Sequence, residues 1–273
     1  MVRVEVLFLP TLATNLPSKL CVVIDVLRAT SNLVAMLDCG ARRVILAESA
    51  ASAPRYASSL PEPPVLVGES GGLAPAGFDQ GNSPRECSPE VLLGRDVLFA
   101  TSNGTRAMQL VSGAASVITG SMLNATAAVM AALGEAKERG LDIAFVCSGD
   151  VLGTRFAIDD AFVAGYLVSL VDREAECRPA VEVDGEANGL PVLLEESAVA
   201  AQRLYRSYLV GLGAGESDRM PSREAILAAF WESHNAQVLR QVGLPEDVEY
   251  CAQIDISDRV PRLRQEAGML VLS

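Results

Sequence analysis

Carboxylates, arginines and a set of small polar residues stand behind four short apolar runs of this chain. Behind residues 20–24 come Asp25, Arg28 and Thr30. Behind 65–67 come Gly68, Glu69, Ser70, Gly71 and Gly72, with Asp79, Asn82 and Ser83 a little further on. Behind 97–100 come Thr101, Asn103, Gly104, Thr105 and Arg106, and behind 142–146 come Cys147, Ser148, Gly149 and Asp150. Hard oxygens such as those of Asp25 and Glu69 suit Mg²⁺, which takes one or two carboxylates and keeps waters and substrate oxygens. Arg28 offers a planar fork to phosphate or sulfonate; an ordinary ion pair with Asp25 is the plainer alternative. Asn103, Gly104 and Thr105 open a helix behind a strand, where backbone N–H groups and the positive dipole end favour an anion. The same three residues also read as a simple helix cap. Asp159 and Asp160 begin another helix, a place acids favour on dipole grounds alone. One polar loop of this kind is ordinary turn chemistry. Four at the carboxyl ends of strands in one sheet point to a shared site, because ligands of open α/β sheets bind there.

Such loops meet only if the flanking elements bring them together. Short apolar runs rich in β-branched residues recur at 2–9, 20–26, 43–47, 65–67, 97–100, 116–119, 142–147 and 248–254, and each predicts a strand. Helical patterns lie between several of them, at 29–39, 105–111, 125–139 and 158–171. The alternation predicts an α/β layered fold with a mixed, largely parallel sheet. The strands are nearly continuous apolar runs, which means that both sheet faces are covered. After residue 177 the texture changes. Residues 178–191 read as a loop or hairpin, and amphipathic helices are expected at 193–208 and 222–242, split by the glycine-rich 211–218. The strand at 248–254 and a tail containing Pro261 close the chain. With 273 residues, the length suits one large domain or two small ones. The expectation is a single α/β domain over 1–273, with a helix-rich segment at about 191–243 packed on or beside it.

Composition narrows the function. The 22 basic residues against 34 acidic ones leave a net charge of −12. That field disfavours a general nucleic-acid binder or a binder of acidic membranes, both of which need a cationic face. A small anionic substrate then needs local arginine or a bound cation. His234 is the only histidine, which removes His-rich zinc sites and any mechanism built on two imidazoles. Six cysteines, at 21, 39, 87, 147, 177 and 251, form no C-x-x-C pair and read as reduced thiols of a cytoplasmic protein. Glu5 interrupts the first apolar stretch, a poor signal peptide. No apolar run approaches the roughly 18 residues of a membrane span.

Several motifs fail. The chain has no G-x-x-x-x-G-K-[ST], so no P-loop. Gly211, Gly213 and Gly215 do not make G-x-G-x-x-G, since position 216 is Glu. Asp25 lacks the second aspartate, at position 27, of the aspartyl-phosphate phosphatases, and no cysteine has arginine six positions on. Gly68-Glu69-Ser70-Gly71-Gly72 is a literal G-x-S-x-G behind an apolar run, with His234 far downstream, as a serine hydrolase orders them. A nucleophile elbow must turn into a helix, however, and Pro75 and Gly77 predict a loop there.

Taken together, the ordered blocks resemble the 2-phosphosulfolactate phosphatase (ComB) family. They are 23–31 around Asp25, Arg28 and Thr30; Gly68-Glu69; 77–84 with Asp79, Asn82 and Ser83; 101–105; and 147–149. Further on come 156–160 with Ala164 and Gly165, then Ser233-His234, Leu239, Gly243, Asp247, 251–255 and Val260-Pro261. The resemblance runs from about residue 20 to 262. It implies a three-layer α/β/α fold, a homodimer, and a Mg²⁺-dependent phosphatase. Such an enzyme converts 2-phospho-3-sulfolactate to 3-sulfolactate and phosphate, a step of coenzyme M biosynthesis. It implies Asp25 and Glu69, with Asp160, as Mg²⁺ ligands. Arg28 and the Asn103–Gly104–Thr105 backbone would hold the anionic groups, and Asn82, Ser83 and Ser148 would be further substrate-binding positions. Two departures stand out. Ser70 replaces the arginine of the Gly-Glu-Arg-Gly-Gly form, and Ser233-His234-Asn235 replaces Ser-x-His-Gly. His234 then reads either as a structural histidine or as a site residue. The rivals are a related phosphatase for another small phosphorylated acid, a non-catalytic anion binder, and a serine hydrolase at Ser70.

Overall fold

Every residue of Lys19–Ile24 (β2) is buried, as an unbroken apolar run between two covered faces requires. The computed structural model describes residues 1–177, 191–210 and 220–273. β2 lies in a five-stranded parallel sheet with β1 (Val2–Leu7), β6 (Ser116–Thr119), β7 (Asp142–Cys147) and β8 (Val192–Leu194), in the order β6-β2-β7-β1-β8. Side chains alternate along the strands. Leu20, Val22 and Ile24 pack with Ile143 and Phe145 against α5 (Ala125–Arg139) and α6 (Ile158–Cys177). Cys21, Val23, Ala144 and Val146 face α1 (Ala29–Asp38) and α4 (Gly104–Leu110) on the other side. That is the expected three-layer α/β/α sandwich.

The strands between β2 and β6 do not join this sheet. β3 (Arg43–Leu46), β4 (Val65–Gly68) and β5 (Asp96–Ala100) form a second one with β9 (Leu263–Glu266) and β10 (Met269–Leu272), in the order β4-β5-β3-β10-β9. β3, β4 and β5 are parallel; β10 and β9 are antiparallel additions. The inner face, Val44, Leu46, Val67, Val97 and Phe99, shares one core with α1 and α4. α1 is therefore sandwiched between two sheets, and residues 29–37 are all buried. The outer face packs Ile45, Leu98 and Val271 with Ala53 of the short α2 (Ala53–Ala57). A further short helix, α3 (Pro89–Leu92), precedes β5.

The later elements correct the sequence reading in places. The stretch expected as a helix over 193–208 gives up its start to β8, which pairs with β1, and α7 runs Glu196–Val210. The helix expected over 222–242 breaks at Ser233 into α8 (Arg223–Glu232) and α9 (His234–Gln241). Ser233 is extended there, and its Oγ accepts from Ala236 N at 3.1 Å, a second N-cap inside the run. The strand expected at 248–254 is the helix α10 (Pro245–Cys251). Pro245 at the first turn, with Glu246 and Asp247 behind it, starts a helix. Val248, Cys251 and Ala252 then bury at helical spacing. β9 had no apolar signal: Arg264, Gln265 and Glu266 make a polar edge strand, joined through Ala267 and Gly268 at positive φ to β10, a short apolar run that the sequence reading left unassigned. The loop expected at 178–191 lies, apart from Pro191, outside the described residues, as does the glycine-rich 211–218. No helix among the described residues is long and apolar enough to cross a membrane. Cys21, Cys39, Cys87, Cys147 and Cys251 are free thiols.

Candidate active site

Asp25 stands at the carboxyl end of β2 and is clamped by the helix it precedes. Thr30 Oγ1 donates to the Asp25 carbonyl at 3.0 Å, and Ala29 N donates to Asp25 Oδ1 at 3.1 Å. The first residue of α4 sits against the carboxylate. A Cβ on Gly104 would lie 2.8 Å from Asp25 Oδ2 and 2.5 Å from Ala29 Cβ, so only glycine allows this approach. Burial pushes the Asp25 carboxyl up to about 7; the Asp159 and Glu69 charges add to it, while Ala29 N–H and the Ser148 hydroxyl oppose it.

Two further acids head α6. Asp160 Oδ1 accepts from Val26 N at 3.0 Å, and Oδ2 accepts from Ser148 Oγ at 2.9 Å and Gly149 N at 3.2 Å. Asp160 thus ties the loop after β2 to the loop after β7. Burial, then the Asp159 and Asp25 charges, hold it well above the usual carboxylate range. Asp159 Oδ2 accepts from Asn235 Nδ2 at 3.1 Å, while its buried Oδ1 has no hydrogen-bond partner among the described residues. Burial raises Asp159 to about 6, with the Asn235 amide working against the shift.

Glu69 stands at the end of β4, in the other sheet. Its Oε1 accepts from Ser102 N at 2.7 Å, and its Oε2 from Gly72 N at 3.0 Å. Gly71 and Gly72, at φ 63° and 86°, fold the chain back to make that second bond. Glu69 and Asp25 therefore meet across the ends of two sheets, not across neighbouring strands.

Arg28 does not pair with Asp25. Its Nη1 donates to Asp247 Oδ2 at 2.6 Å and its Nη2 to Gly72 O at 2.7 Å. Both ends of the ion pair are out of water, with Arg28 2% and Asp247 0% exposed. Ser83 Oγ donates to the other oxygen, Asp247 Oδ1, at 2.6 Å. Asn82 Oδ1 accepts from Asn32 Nδ2 at 3.0 Å, and Asn103 Oδ1 accepts from Leu152 N at 2.9 Å. Thr105 turns inward: its Oγ1 donates to Thr101 O at 2.8 Å.

These residues surround a cavity of about 210 Å³. Asp25, Arg28, Glu69, Asn82 and Asn103 line it. Ser83, Gly104, Thr105, Ser148 and Asp160 stand behind its wall as struts. α9 closes the cavity with His234, Asn235, Val238 and Leu239, and Asp150 joins from the loop after β7. Sequence reasoning gave no site role to Asp247, Asp150 or Asn235, and weighed Asp159 only as a helix-start acid. Asp150 carried a usable signal, its place behind an apolar strand; Asp247 stood just before the run at 248–254 that read as a strand.

Among the described residues, no three His, Cys, Asp or Glu side chains converge into a ready metal cage. Mg²⁺ does not need one; it binds through one or two carboxylates plus waters and substrate oxygens. Asp25 and Glu69 on one cavity, with the unpartnered Asp159 Oδ1 behind, fit that mode. Asp160 fits poorly, since three donors already occupy its oxygens.

The family model described as 2-phosphosulpholactate phosphatase matches residues 8–266. A protein of Carboxydothermus hydrogenoformans named probable 2-phosphosulfolactate phosphatase is 29% identical over 270 residues, covering 99% of this chain and 97% of its own. A protein of the same name from Thermus thermophilus is 34% identical, covering 90% of this chain and 88% of its own. One from Clostridium perfringens is also 34% identical, with 90% and 86% covered.

Proposed function

We propose, for a chain that belongs to the 2-phosphosulpholactate phosphatase family, that the cavity hydrolyses 2-phospho-3-sulfolactate to 3-sulfolactate and phosphate with Mg²⁺. The observation that carries this reading is the cavity's charge. Asp25, Glu69 and Asp150 line it, and its one guanidinium, Arg28, is already matched by Asp247. An ester that carries phosphate, sulfonate and carboxylate enters such a cavity only with an added cation. Asp25 and Glu69 are the residues that would hold it. When bound, Mg²⁺ supplies Lewis-acid polarisation of phosphoryl oxygens.

The chain's own groups do the rest. Arg28 has five N–H donors and spends two on Asp247 and Gly72, so others remain for a sulfonate or phosphoryl oxygen. Asn82 and Asn103 both accept at their amide oxygens, which leaves their NH₂ groups to donate. Donors fixed before substrate arrives pay no reorganisation when charge moves in the transition state. Asp160, Ser148 and Thr105 keep the loops in register. The same reading takes the protein as a cytoplasmic homodimer serving coenzyme M biosynthesis, supported by the family resemblance.

The test is phosphate release from racemic 2-phospho-3-sulfolactate, with Mg²⁺ and with EDTA, beside phospholactate and p-nitrophenyl phosphate. Fast, EDTA-sensitive release from the sulfonated ester is expected. Release only from the unsulfonated esters moves the substrate to another phosphorylated acid and points at Ser70. Binding without release from any of them leaves an anion-binding protein.

Two smaller results accompany it. Gly104→Ala pushes a methyl into Asp25 and Ala29, and a displacement near 1 Å costs up to about 100-fold; kcat is expected to fall at least tenfold, read by the same assay. Ser70 is exposed, and β4 runs on into the Gly71–Gly72 turn with no helix behind it. A fluorophosphonate probe is therefore expected to leave Ser70 unlabelled, by mass spectrometry of the treated protein.

A further inference from the structure

We infer that His234, oriented by Asp150, is the general acid that protonates the leaving oxygen of the ester. The inference rests on the phosphatase reading and assigns the proton that reading leaves unassigned.

His234 is the first residue of α9 and lines the cavity. The Ser233 cap fixes where that helix begins, and so where the imidazole stands. His234 Nδ1 is 2.9 Å from Asp150 Oδ2, which leaves Nε2 as the ring nitrogen for a ligand. Asp150 is itself tightly held. Its Oδ1 accepts from Val151 N at 2.6 Å, and its Oδ2 also pairs with Arg155. The turn between them is costly: Val151, Leu152 and Gly153 all have positive φ, at 50°, 58° and 74°. Two non-glycine residues in that region, one of them β-branched, persist only where surrounding contacts over-determine them, and such strain gathers at functional sites. Here the strained turn supports the carboxylate that orients the histidine. The Arg155 and Val151 bonds hold Asp150 below the usual carboxylate range, so it stays an acceptor for Nδ1–H. The other charged groups facing the ring's cavity are Asp25, Glu69 and Arg28, with Asp159 reached through Asn235.

The chemistry needs such a group. The leaving oxygen belongs to a secondary alcohol, whose alkoxide is a poor leaving group. As a water oxygen bonds to phosphorus, the P–O ester bond breaks and its electron pair goes to the alcohol oxygen, which takes the proton from Nε2. The monoester dianion, water and imidazolium thus become the alcohol, H₂PO₄⁻ and neutral imidazole. His234 recovers its proton from H₂PO₄⁻ or solvent.

General acids of this kind contribute about 10²–10⁴-fold, and only where the leaving group needs a proton. The test compares kcat/KM of the parent, His234→Gln and Asp150→Asn on 2-phospho-3-sulfolactate and on p-nitrophenyl phosphate, whose phenolate departs unaided. His234→Gln is expected to lose about 100-fold on the alkyl ester and under about fivefold on the aryl ester. Asp150→Asn follows the same pattern, more weakly. Equal losses on both esters, or no loss on the alkyl ester, overturn the assignment. The His234 side chain is 59% exposed, so its replacement disturbs no core, and Asp150→Asn gives a second route to the answer. A parent that hydrolyses neither ester removes the phosphatase reading and this one together; a parent active on both isolates the dyad.

Discussion

Asp25→Asn is expected to lower kcat for the phosphate ester by about 10³-fold or more, while the variant folds and, without metal, outlasts the parent at pH 8. The activity loss follows from place. Asp25 sits at the cavity floor with Glu69, where a neutral amide cannot hold a divalent cation against phosphoryl oxygens. The stability gain follows from burial. The carboxyl is raised from 3.8 to about 7 in the fold. The native state therefore binds the proton more tightly than the unfolded chain, and stability falls as pH rises from about 4 through about 7. That loss is at most on the order of 4 kcal/mol, at about 1.4 kcal/mol per pKa unit. Asparagine keeps the bond to Ala29 N and carries no charge, so its curve over this window is flatter. Under the proposed function, Mg²⁺ is expected to work in the opposite direction, stabilising the parent by about 3 kcal/mol at a hundredfold excess over Kd and the variant hardly at all. Thermal melts at pH 5 and pH 8, with Mg²⁺ and with EDTA, read these differences beside the turnover assay. Near-normal turnover removes Asp25 from the site. Parallel melting curves for parent and variant across the pH window remove the buried charge from the explanation.

What the sequence carried was the position of side chains along the chain, not their direction. The apolar runs of β2, β5 and β7 are continuous because both faces are covered, and that made them readable. Asking what stands behind each strand then put Asp25, Glu69, Asn103 and Asp150 near one another, as the cavity has them. Thr105 and Ser148 came from the same rule and Asp160 from the family resemblance, yet their side chains point into the wall and brace the loops. A strand-end position fixes neighbourhood; rotamer and burial decide whether a group faces substrate. Sheet membership was hidden too. β2 and β4 look alike as apolar runs, and only the pairing shows that the chain leaves the first sheet after β2 and returns at β6. Arg28 is the sharpest case. Asp25 is its acidic neighbour in sequence, but its partner Asp247 is 219 residues away. The short apolar run at 248–254 read as a strand, and the Pro245 helix start overrode it, bringing Asp247 into the site.

Asp247→Ala is expected to cost about 3–5 kcal/mol of folding stability and most of the activity, because it strands a buried guanidinium. Arg28 would keep only the Gly72 carbonyl, and Ser83 would lose its acceptor. Arg85 does not compensate: it is half exposed and lies 4.0 Å from Asp247 Oδ1. Stability and function can be separated at this pair. Replacing both members by apolar residues removes the unpaired charge, and buried pairs replaced that way are often neutral or stabilising. Arg28→Met with Asp247→Leu is therefore expected to melt nearer the parent than Asp247→Ala does, yet to stay inactive, since the cavity has lost its anchored cation. Urea unfolding gives the first half and phosphate release the second. An active double variant would take Arg28 out of substrate binding and make the pair purely architectural. A fully stable Asp247→Ala would mean that the Arg28 side chain finds another acceptor or water, so that its buried ion pair does not hold the end of β2 against α10.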